Sequence, residues 1–223
     1  MELFGKNVLV VGASGVLGGL IADRLAQRGA RVLGTASSNE SAARIPESVS
    51  LKLLLDLESP DSIKTLADYL AASEQLDGIV LAAGRVGFGK LDPNSAETTA
   101  RLMQINFLGQ ADLISRVASA IQPEGFIAAI SGVVAEKTFP GMAAYCASKT
   151  ALSTWLAASR IDFKKAGVAT IELRPGHTET GLATRALFGD APAMPQGMTP
   201  EHVADKTFEA ILARTPLVSS EEF

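Results

Sequence analysis

The stretch Val10-Val11-Gly12-Ala13-Ser14-Gly15-Val16-Leu17-Gly18-Gly19 joins a short apolar run to an amphipathic stretch near the start of the chain. Its glycines carry no Cβ atom, so the backbone can turn sharply and approach a bound group closely. A helix that begins in such a turn presents unpaired N–H groups and the positive end of its dipole, and both attract phosphates. The triplet Gly12, Gly15 and Gly18 alone also fits a plain tight turn. The position at the first strand–helix junction favours a dinucleotide site.

Short apolar runs and longer amphipathic stretches alternate along the rest of the chain. The runs are continuously apolar rather than alternately apolar and polar, as in strands of a parallel sheet that is covered on both faces. The predicted strands are Val8–Val11, Arg31–Gly34, Leu51–Leu55, Gly78–Ala82, Phe126–Ile130 and Val168–Leu173. The predicted helices are Val16–Gln27, Ser59–Ala71, Ala96–Ile121 and Tyr145–Lys165. This order predicts an α/β protein with a Rossmann-type doubly wound parallel sheet in three α/β/α layers.

The length of 223 residues fits one domain, and no internal repeat or low-complexity linker divides the chain. We therefore expect a single dinucleotide-binding domain over residues 1–223. The irregular stretch Ala183–Thr199 is long for a connection in a compact domain. It predicts a lid or binding loop, which we assign as a substrate loop around residues 183–199.

Composition argues against several other classes of protein. Twenty Lys and Arg against 24 Asp and Glu give a net charge of −4 with no basic stripe, which argues against nucleic-acid binding. The single cysteine, Cys146, excludes an intrachain disulfide and argues against a cysteine-based metal site. The start of the chain shows no secretion signal, and no apolar run approaches the roughly 20 residues of a membrane span. We expect a cytoplasmic protein with no metal, membrane or nucleic-acid partner.

The segment after the second predicted strand indicates which dinucleotide is bound. Proteins that bind NAD usually place a carboxylate there, which accepts from the adenosine ribose and would repel a 2′-phosphate. Here the strand runs into Thr35-Ala36-Ser37-Ser38-Asn39, and no acid occurs before Glu40. Hydroxyl and amide groups can donate to a phosphate, so the sequence favours NADP(H) over NAD(H). A polar turn that merely tolerates NAD(H) is the alternative, and the direction of Arg44 is open.

Tyr145 and Lys149 lie four residues apart at the start of a predicted helix. This spacing places both side chains on one helix face, one turn apart. A nearby ammonium favours the phenolate, so we expect it to lower the pKa of Tyr145 towards neutral pH. Such a tyrosine suits general acid/base chemistry between carbonyls and alcohols. The spacing by itself also fits a surface pair, but the glycine-rich turn strengthens the catalytic interpretation.

With these motifs in place, the sequence resembles the short-chain dehydrogenase/reductase superfamily over most of its length. The matching motifs are the Gly12–Gly18 turn, Asp56, Ala82-Ala83-Gly84, Asn106, Ser131, Tyr145, Lys149, Pro175-Gly176, Thr178 and Thr180. The run from Gly29 to Ala36 is similar to the β-ketoacyl carrier-protein reductase branch, which uses NADPH. In that comparison Ala36 takes the place of the NAD-selecting acid, and Ser37 that of a hydroxyl that contacts phosphate.

The resemblance implies hydride transfer between a nicotinamide and a carbonyl or alcohol carbon. Tyr145 would donate or accept the proton, and Lys149 would bind the nicotinamide ribose and assist Tyr145. Ser131 would polarise the substrate oxygen, and Asn106 would hold a water in the proton relay.

The resemblance also implies a set of cofactor contacts, in which Asp56 faces the adenine amino group and Thr180 the nicotinamide carboxamide. Together with Tyr145 and Lys149, the implied contacts are Gly12, Ser14, Gly15, Val16, Leu17, Gly18, Ser37, Ser38, Asp56, Leu57, Ala82, Ala83, Gly84, Pro175, Gly176, Thr178 and Thr180.

Departures from the family pattern keep a second class of function open. Ala82 replaces an asparagine, and Ser131 lies fourteen residues before Tyr145, whereas the family serine lies about thirteen before it, at the position of Gly132. We predict that the Ser131 hydroxyl still faces the Tyr145 phenol, because Gly132 can adopt backbone angles that re-aim the preceding residue. The alternative function is a catalytically weak dinucleotide-binding sensor or regulatory protein.

Segments that would flank the substrate cleft carry apolar side chains, namely Val86-Gly87-Phe88, Phe139, Met142, Phe188 and Met194. They predict a small apolar ketone, aldehyde or alcohol as substrate. The resemblance further implies a homo-oligomer, for which we expect a dimer packed along the long helices. The segment Thr215–Phe223 is shorter than the last strand and tail usual in the family, which argues against the tetramer contact made through that region. A tetramer is the alternative to the dimer.

Overall fold

The structure is a computed structural model that describes residues 1–73, 75–90 and 95–223. Its centre is a parallel sheet of seven strands in the order β3-β2-β1-β4-β5-β6-β7. The strands are β1 Asn7–Val11, β2 Arg31–Ala36, β3 Leu51–Leu54, β4 Leu76–Leu81, β5 Ile121–Ile130, β6 Ala169–Leu173 and β7 Leu217–Val218. Because the apolar strands pair in parallel, helices must cover both faces of the sheet.

Helices pack on both faces of this sheet and complete three layers. They are α1 Val16–Gln27, α2 Asn39–Ala42, α3 Pro60–Ser73, α4 Ser95–Met103, α5 Gly109–Val117, α6 Ala143–Lys165 and α7 Pro200–Ala213. Buried side chains of α1 and α7 pack against one face, and those of α3, α5 and α6 pack against the other. The predicted three-layer α/β fold with a doubly wound parallel sheet is confirmed.

The local signals for helix ends also have their expected structural counterparts. Ser59 precedes α3, and its Oγ accepts a hydrogen bond from Ser62 N at 3.2 Å, as an N-cap residue does. Gly29 and Gly167 follow α1 and α6 with φ angles of +82° and +76°, the left-handed conformation with which helices commonly end.

The long helix predicted over Ala96–Ile121 is wrong in its middle and at its end. The chain there forms α4, a π-helical turn over Gln104–Leu108, then α5 and a short 3₁₀ turn, and Ile121 already belongs to β5. A π-helical turn adds a residue to the helical repeat, and it brings Asn106 into the fully buried interior. The sequence also failed to predict β7, because two residues are too short a run to show a strand pattern.

The strand order reverses between β1 and β4, because β2 and β3 lie on one side of β1 and β4 to β7 on the other. In sheets of this kind a crevice forms outside the carboxyl ends of the strands at the reversal. Among the described residues, no helix is both long enough and apolar enough to cross a lipid bilayer.

Candidate active site

A cleft of about 970 Å³ opens at the carboxyl ends of the strands, where the strand order reverses. Its lining includes the glycine-rich turn, the residues that follow β2 to β6, and the first turns of α6. Of the residues predicted to bind the cofactor or to act in catalysis, all but Ser38 and Asn106 line this cleft. The fold thus brings together side chains that are more than a hundred residues apart in sequence.

The glycine-rich turn has no room for side chains at its key positions. Gly12 has a φ angle of +88°, and a Cβ atom there would lie 2.8 Å from the backbone of Ala83. A Cβ atom on Gly18 would overlap the carbonyl oxygen of Gly12. Within the described residues no side chain caps the amino end of α1 at Val16, so its N–H groups are available to a phosphate. These features fit the pyrophosphate of a dinucleotide.

The end of β2 differs in one detail from the prediction. Ser37 and Arg44 line the cleft, whereas Ser38 does not. Ser38 instead caps α2 in a reciprocal pair with Ser41, in which Ser38 Oγ accepts from Ser41 N at 3.2 Å and Ser41 Oγ accepts from Ser38 N at 3.0 Å. The structure therefore assigns Ser38 to the helix cap and places Ser37 at the cleft.

Tyr145 and Lys149 lie one turn apart at the start of α6, and both line the cleft. Lys149 is buried, and its Nζ donates to the carbonyl oxygen of Ile130 at 2.8 Å. Burial lowers the pKa of Lys149 to about 8, while burial and the adjacent Cys146 raise the pKa of Tyr145 to about 12. The expectation of a lowered tyrosine pKa is therefore wrong, because desolvation of the phenolate dominates. Tyr145 is a neutral phenol at pH 7, the form that can donate a proton.

The prediction that Ser131 faces Tyr145 is also wrong. Ser131 is buried, and its hydroxyl donates to Glu172 Oε1 at 2.6 Å. Side chains alternate along a strand, so Ser131 points to the same face as Ala129, and Ala129 pairs with Glu172 on β6. Gly132 has a φ angle of +93°, but it follows Ser131 in the chain. The bend at Gly132 therefore does not redirect the Ser131 side chain. A Cβ atom on Gly132 would meet no atom closer than 3.6 Å.

Glu172 and Arg174 form an ion pair between a buried carboxylate and a half-buried guanidinium, a feature that the sequence did not indicate. Glu172 is only 2% exposed, and Arg174 donates to its two oxygens from Nε at 2.8 Å and from Nη2 at 3.1 Å. Burial raises the pKa of Glu172, but the hydrogen bonds from Arg174, Ser131 and Ser153 outweigh burial and hold it below its usual value. The sequence feature that could have indicated this pair is the occurrence of opposite charges two residues apart, at Glu172 and Arg174, where an apolar strand ends.

Asn106 supports the cleft from behind. Its Oδ1 accepts from Arg85 N at 2.8 Å, and its Nδ2 donates to Arg85 O at 2.8 Å and to Ser148 Oγ at 2.9 Å. The side chain thereby fastens the segment after Gly84 to helix α6. Its role in a proton relay through water stays a prediction.

Three other predicted contact residues make local hydrogen bonds at the cleft wall. Asp56 Oδ1 accepts from the backbone of Glu58 at 2.9 Å, and Thr178 Oγ1 donates to the carbonyl of Gly176 at 3.0 Å. Thr180 Oγ1 accepts from the backbone N–H that follows two residues later, at 3.3 Å. These bonds shape the loops after β3 and β6, and the cofactor contacts assigned to these residues stay predictions.

The far end of the cleft is apolar, as the sequence predicts. Of the apolar residues expected there, those that line it are Val86, Phe88, Phe139, Met142 and Met194. Phe188 was expected among them, but it packs behind the wall, where its ring lies against Gly87 and Gly89. An apolar pocket next to the Tyr145 phenol and the Lys149 ammonium suits an apolar substrate with one polar reacting group.

Comparison with known proteins supports a common family. A sequence model of the family described as short chain dehydrogenase matches residues 6–187. The chain is 30% identical over 230 residues to the uncharacterized oxidoreductase YbbO of Escherichia coli (strain K12), covering 96% of this chain and 84% of that protein. It is 31% identical over 196 residues to the 3-oxoacyl-acyl-carrier-protein reductase FabG of the same strain, covering 85% of this chain and 80% of FabG.

Solved structures share the fold at lower sequence identity. A short chain dehydrogenase from Burkholderia cenocepacia in complex with NADP superposes with a TM-score of 0.85 at 20% identity, covering 98% of this chain and 89% of that one. A short chain dehydrogenase/reductase from Burkholderia phymatum in complex with NAD superposes with a TM-score of 0.86 at 22% identity, covering 99% of this chain and 90% of that one. The family match spans well over half of the sequence, and the chain therefore belongs to the short-chain dehydrogenase/reductase family of oxidoreductases.

Proposed function

We propose that this protein is an NADP(H)-dependent oxidoreductase that interconverts a carbonyl and an alcohol on a small apolar substrate. The observation that carries the proposal is the position of Tyr145 and Lys149 in the same cleft as a glycine-rich turn built for phosphate. A protein that only binds a dinucleotide has no need of a phenol and an ammonium beside the apolar end of that cleft.

The protein groups would each perform a defined part of the reaction. The bound nicotinamide supplies or accepts the hydride. In the direction of reduction, Tyr145 donates its proton to the substrate oxygen, and the high pKa of this residue keeps the proton in place at neutral pH. Lys149, anchored on Ile130 O, retains N–H donors for a ribose hydroxyl and places positive charge near the phenol. The apolar wall excludes water from the reacting carbonyl.

A panel of small aldehydes and ketones tests the proposal directly. NADPH oxidation is followed at its absorbance band with each carbonyl, and the expected result is turnover that depends on both NADPH and the carbonyl. A protein that binds NADPH tightly and reduces no member of the panel would contradict the proposal.

The cofactor preference is supported by the residues after β2. Ala36 lines the cleft where an NAD-selecting acid would stand, and Ser37 and Arg44 line it nearby. A hydroxyl and a guanidinium can both donate to a 2′-phosphate, and the positive charge of Arg44 favours the doubly charged group.

We predict that NADPH binds at least about ten times more tightly than NADH, a difference of roughly 1.4 kcal/mol. Ala36→Asp should reverse the preference by repelling the 2′-phosphate, and Arg44→Ala should weaken NADPH binding while leaving NADH binding unchanged. Titration of each protein with both cofactors, followed by nucleotide fluorescence, measures the dissociation constants. Equal constants for NADPH and NADH in the unmodified protein would refute the assignment.

One observation favours a second candidate function, a dinucleotide-binding sensor with weak catalysis. Ser131 donates to Glu172 rather than to the cleft, and Gly132 offers no hydroxyl at the position that the family serine occupies. A substrate oxygen would then be held by Tyr145 without that second donor. Tight NADPH binding without turnover on the whole panel would favour the sensor.

Gly132 allows a direct test of whether the missing hydroxyl limits the rate. The space at this position admits a side chain, although its φ angle of +93° makes any Cβ atom strained. Gly132→Ala carries the same strain without a hydroxyl, so the ratio of the two variants isolates the effect of the hydroxyl. We expect kcat of Gly132→Ser to exceed that of Gly132→Ala by about tenfold or more, because a donor at a developing oxyanion typically contributes ~10²–10³. Equal rates for the serine and alanine variants would show that this position does not reach the substrate oxygen.

A further inference from the structure

Three separate segments meet over the apolar end of the cleft: residues 85–90 after β4, residues 139–142 before α6, and residues 185–189 in the loop after β6. Main-chain hydrogen bonds join them into one unit, which we call the clasp. The three bonds run from Leu187 N to Val86 O (2.8 Å), from Phe88 N to Phe188 O (3.0 Å) and from Gly89 N to Gly141 O (2.9 Å).

The ring of Phe188 fits against bare backbone on the 85–90 segment. A Cβ atom on Gly87 would lie 2.8 Å from Phe188 Cδ1, and a Cβ atom on Gly89 would lie 3.0 Å from Phe188 Cε2. Gly89 has a φ angle of +138°, which itself favours glycine, but Gly87 is not in the left-handed region. At Gly87 the ring of Phe188, with a methyl group of Leu102 at 3.2 Å, is what excludes a side chain.

The residue after Phe188 packs tightly against the main chain of Phe88. Gly189 has a φ angle of +67°, and a Cβ atom there would overlap the carbonyl oxygen of Phe88. The chain can therefore turn tightly after Phe188 only because position 189 has no side chain. Glycines on both segments thus let the loop after β6 approach the loop after β4 closely enough for two main-chain hydrogen bonds.

The clasp places its apolar side chains towards the cleft and its ring behind them. Val86, Phe88 and Leu187 line the cleft, as do Arg85 and Arg185 at the starts of their segments, whereas Phe188 and Gly87 do not. Phe188 would therefore act on the substrate indirectly, by fixing the wall that the substrate contacts. Removing or displacing the ring would leave the two main-chain hydrogen bonds between these segments without the packing of Phe188.

We infer that Phe188 is a positioning residue that limits the size of the carbonyl substrate by holding the segments of the clasp together. This inference rests on the proposed function for its substrate class. A fastened apolar wall favours a compact aldehyde or ketone, and it disfavours a substrate with a fused aromatic ring system.

Two single variants should loosen the clasp by different means, one by removing the ring and the other by filling its space, and both should favour the larger substrate. Phe188→Ala removes the ring, and Gly87→Ala leaves the ring intact but occupies its space. In both, we expect the ratio of kcat/KM for 2-naphthaldehyde to that for propanal to rise at least about tenfold, which is in the range that one hydrophobic contact gives. The dissociation constant for NADPH should stay within about twofold, because neither residue lines the cleft.

The double variant provides the sharper test. Once Phe188 is alanine, the two closest contacts of a methyl group at position 87 are gone, and the next is the flexible end of Leu102 at 3.2 Å. The second substitution should therefore add almost no further change. Phe4→Ala is the matched control, because Phe4 is 79% exposed and lies before β1, at the opposite end of the sheet from the cleft. It should leave the ratio unchanged.

Hydrogen exchange tests the clasp without reference to turnover. In the NADPH complex, peptides that contain the amides of Leu187 and Phe88 should exchange at least about tenfold faster in either single variant than in the unmodified protein. Equal exchange in all variants would overturn the clasp, whether or not the protein reduces carbonyls.

The turnover measurements separate the two proposals. If the unmodified protein reduces both aldehydes and the variants keep its ratio of kcat/KM values, the size-limiting role of Phe188 is overturned while the proposed function stands. Absence of turnover on every carbonyl would instead overturn the proposed function, and with it the size-limiting role.

Discussion

Tyr145→Phe should lower kcat for carbonyl reduction by about 10²–10⁴-fold, because it removes the proton donor and keeps the aromatic ring. The structure places this phenol at the cleft, and burial keeps it protonated with a pKa of about 12. NADPH binding should change by no more than about twofold, since the ring still fills its space. The measurement is steady-state NADPH oxidation with the best carbonyl of the panel, alongside a cofactor titration.

The chain offers a matched control for this variant, because Tyr69 is its other tyrosine. Tyr69 lies on α3, is 39% exposed and does not line the cleft. Tyr69→Phe makes the same chemical change away from the site, so its kcat should equal that of the unmodified protein. Retention of most activity by Tyr145→Phe would show that another group supplies the proton.

Arg174→Ala should lower the free energy of unfolding at pH 7 by about 3–5 kcal/mol, the usual cost of leaving a buried charge without its partner. The variant leaves the Glu172 carboxylate, which is 2% exposed, with hydrogen bonds but no counter-charge. Urea denaturation followed by circular dichroism measures the change. Arg116→Ala breaks the exposed pair with Asp112 and should cost no more than about 0.5 kcal/mol.

The same variant has a defined pH dependence. In the unmodified protein the folded-state pKa of Glu172 is below its usual value, so the carboxylate contributes stability at neutral pH that is lost as pH falls through the folded pKa. Without Arg174, less opposes the burial that raises the pKa of Glu172, so we expect this pKa to rise and protonation to relieve the unpaired charge as pH falls. The stability gap between the two proteins should therefore be smaller at pH 5 than at pH 7, and Glu172→Gln should restore much of the stability of Arg174→Ala. An equal gap at both pH values would show that Glu172 is not the source of the destabilisation.

The features that the sequence predicted correctly depend on local spacing. The turn from Gly12 to Gly18 and the pair Tyr145 and Lys149 each lie within one or two turns of chain, so their geometry follows from neighbouring residues. The parallel sheet followed from strand polarity, because a strand that is covered on both faces carries apolar residues continuously.

The features that the sequence did not predict depend on contacts between distant segments. The direction of Ser131 is set by the alternation of β5 and by Glu172 on the next strand, which no spacing around Ser131 reveals. The π-helical turn around Asn106 leaves the amphipathic pattern nearly continuous, so a single helix was the natural interpretation. The lowered pKa expected for Tyr145 failed because the degree of burial of a phenol is a property of the folded cleft.

The anchor of Lys149 has a consequence for how this site could change over evolutionary time or by design. The atom that accepts from its Nζ is the main-chain oxygen of Ile130, the last residue of a central strand. Such an acceptor is supplied by the sheet itself and is present whichever amino acid occupies position 130. The wall around the ammonium can therefore be diversified for new substrates at position 130 without loss of the group that orients the lysine, whereas a shift in strand register would displace it.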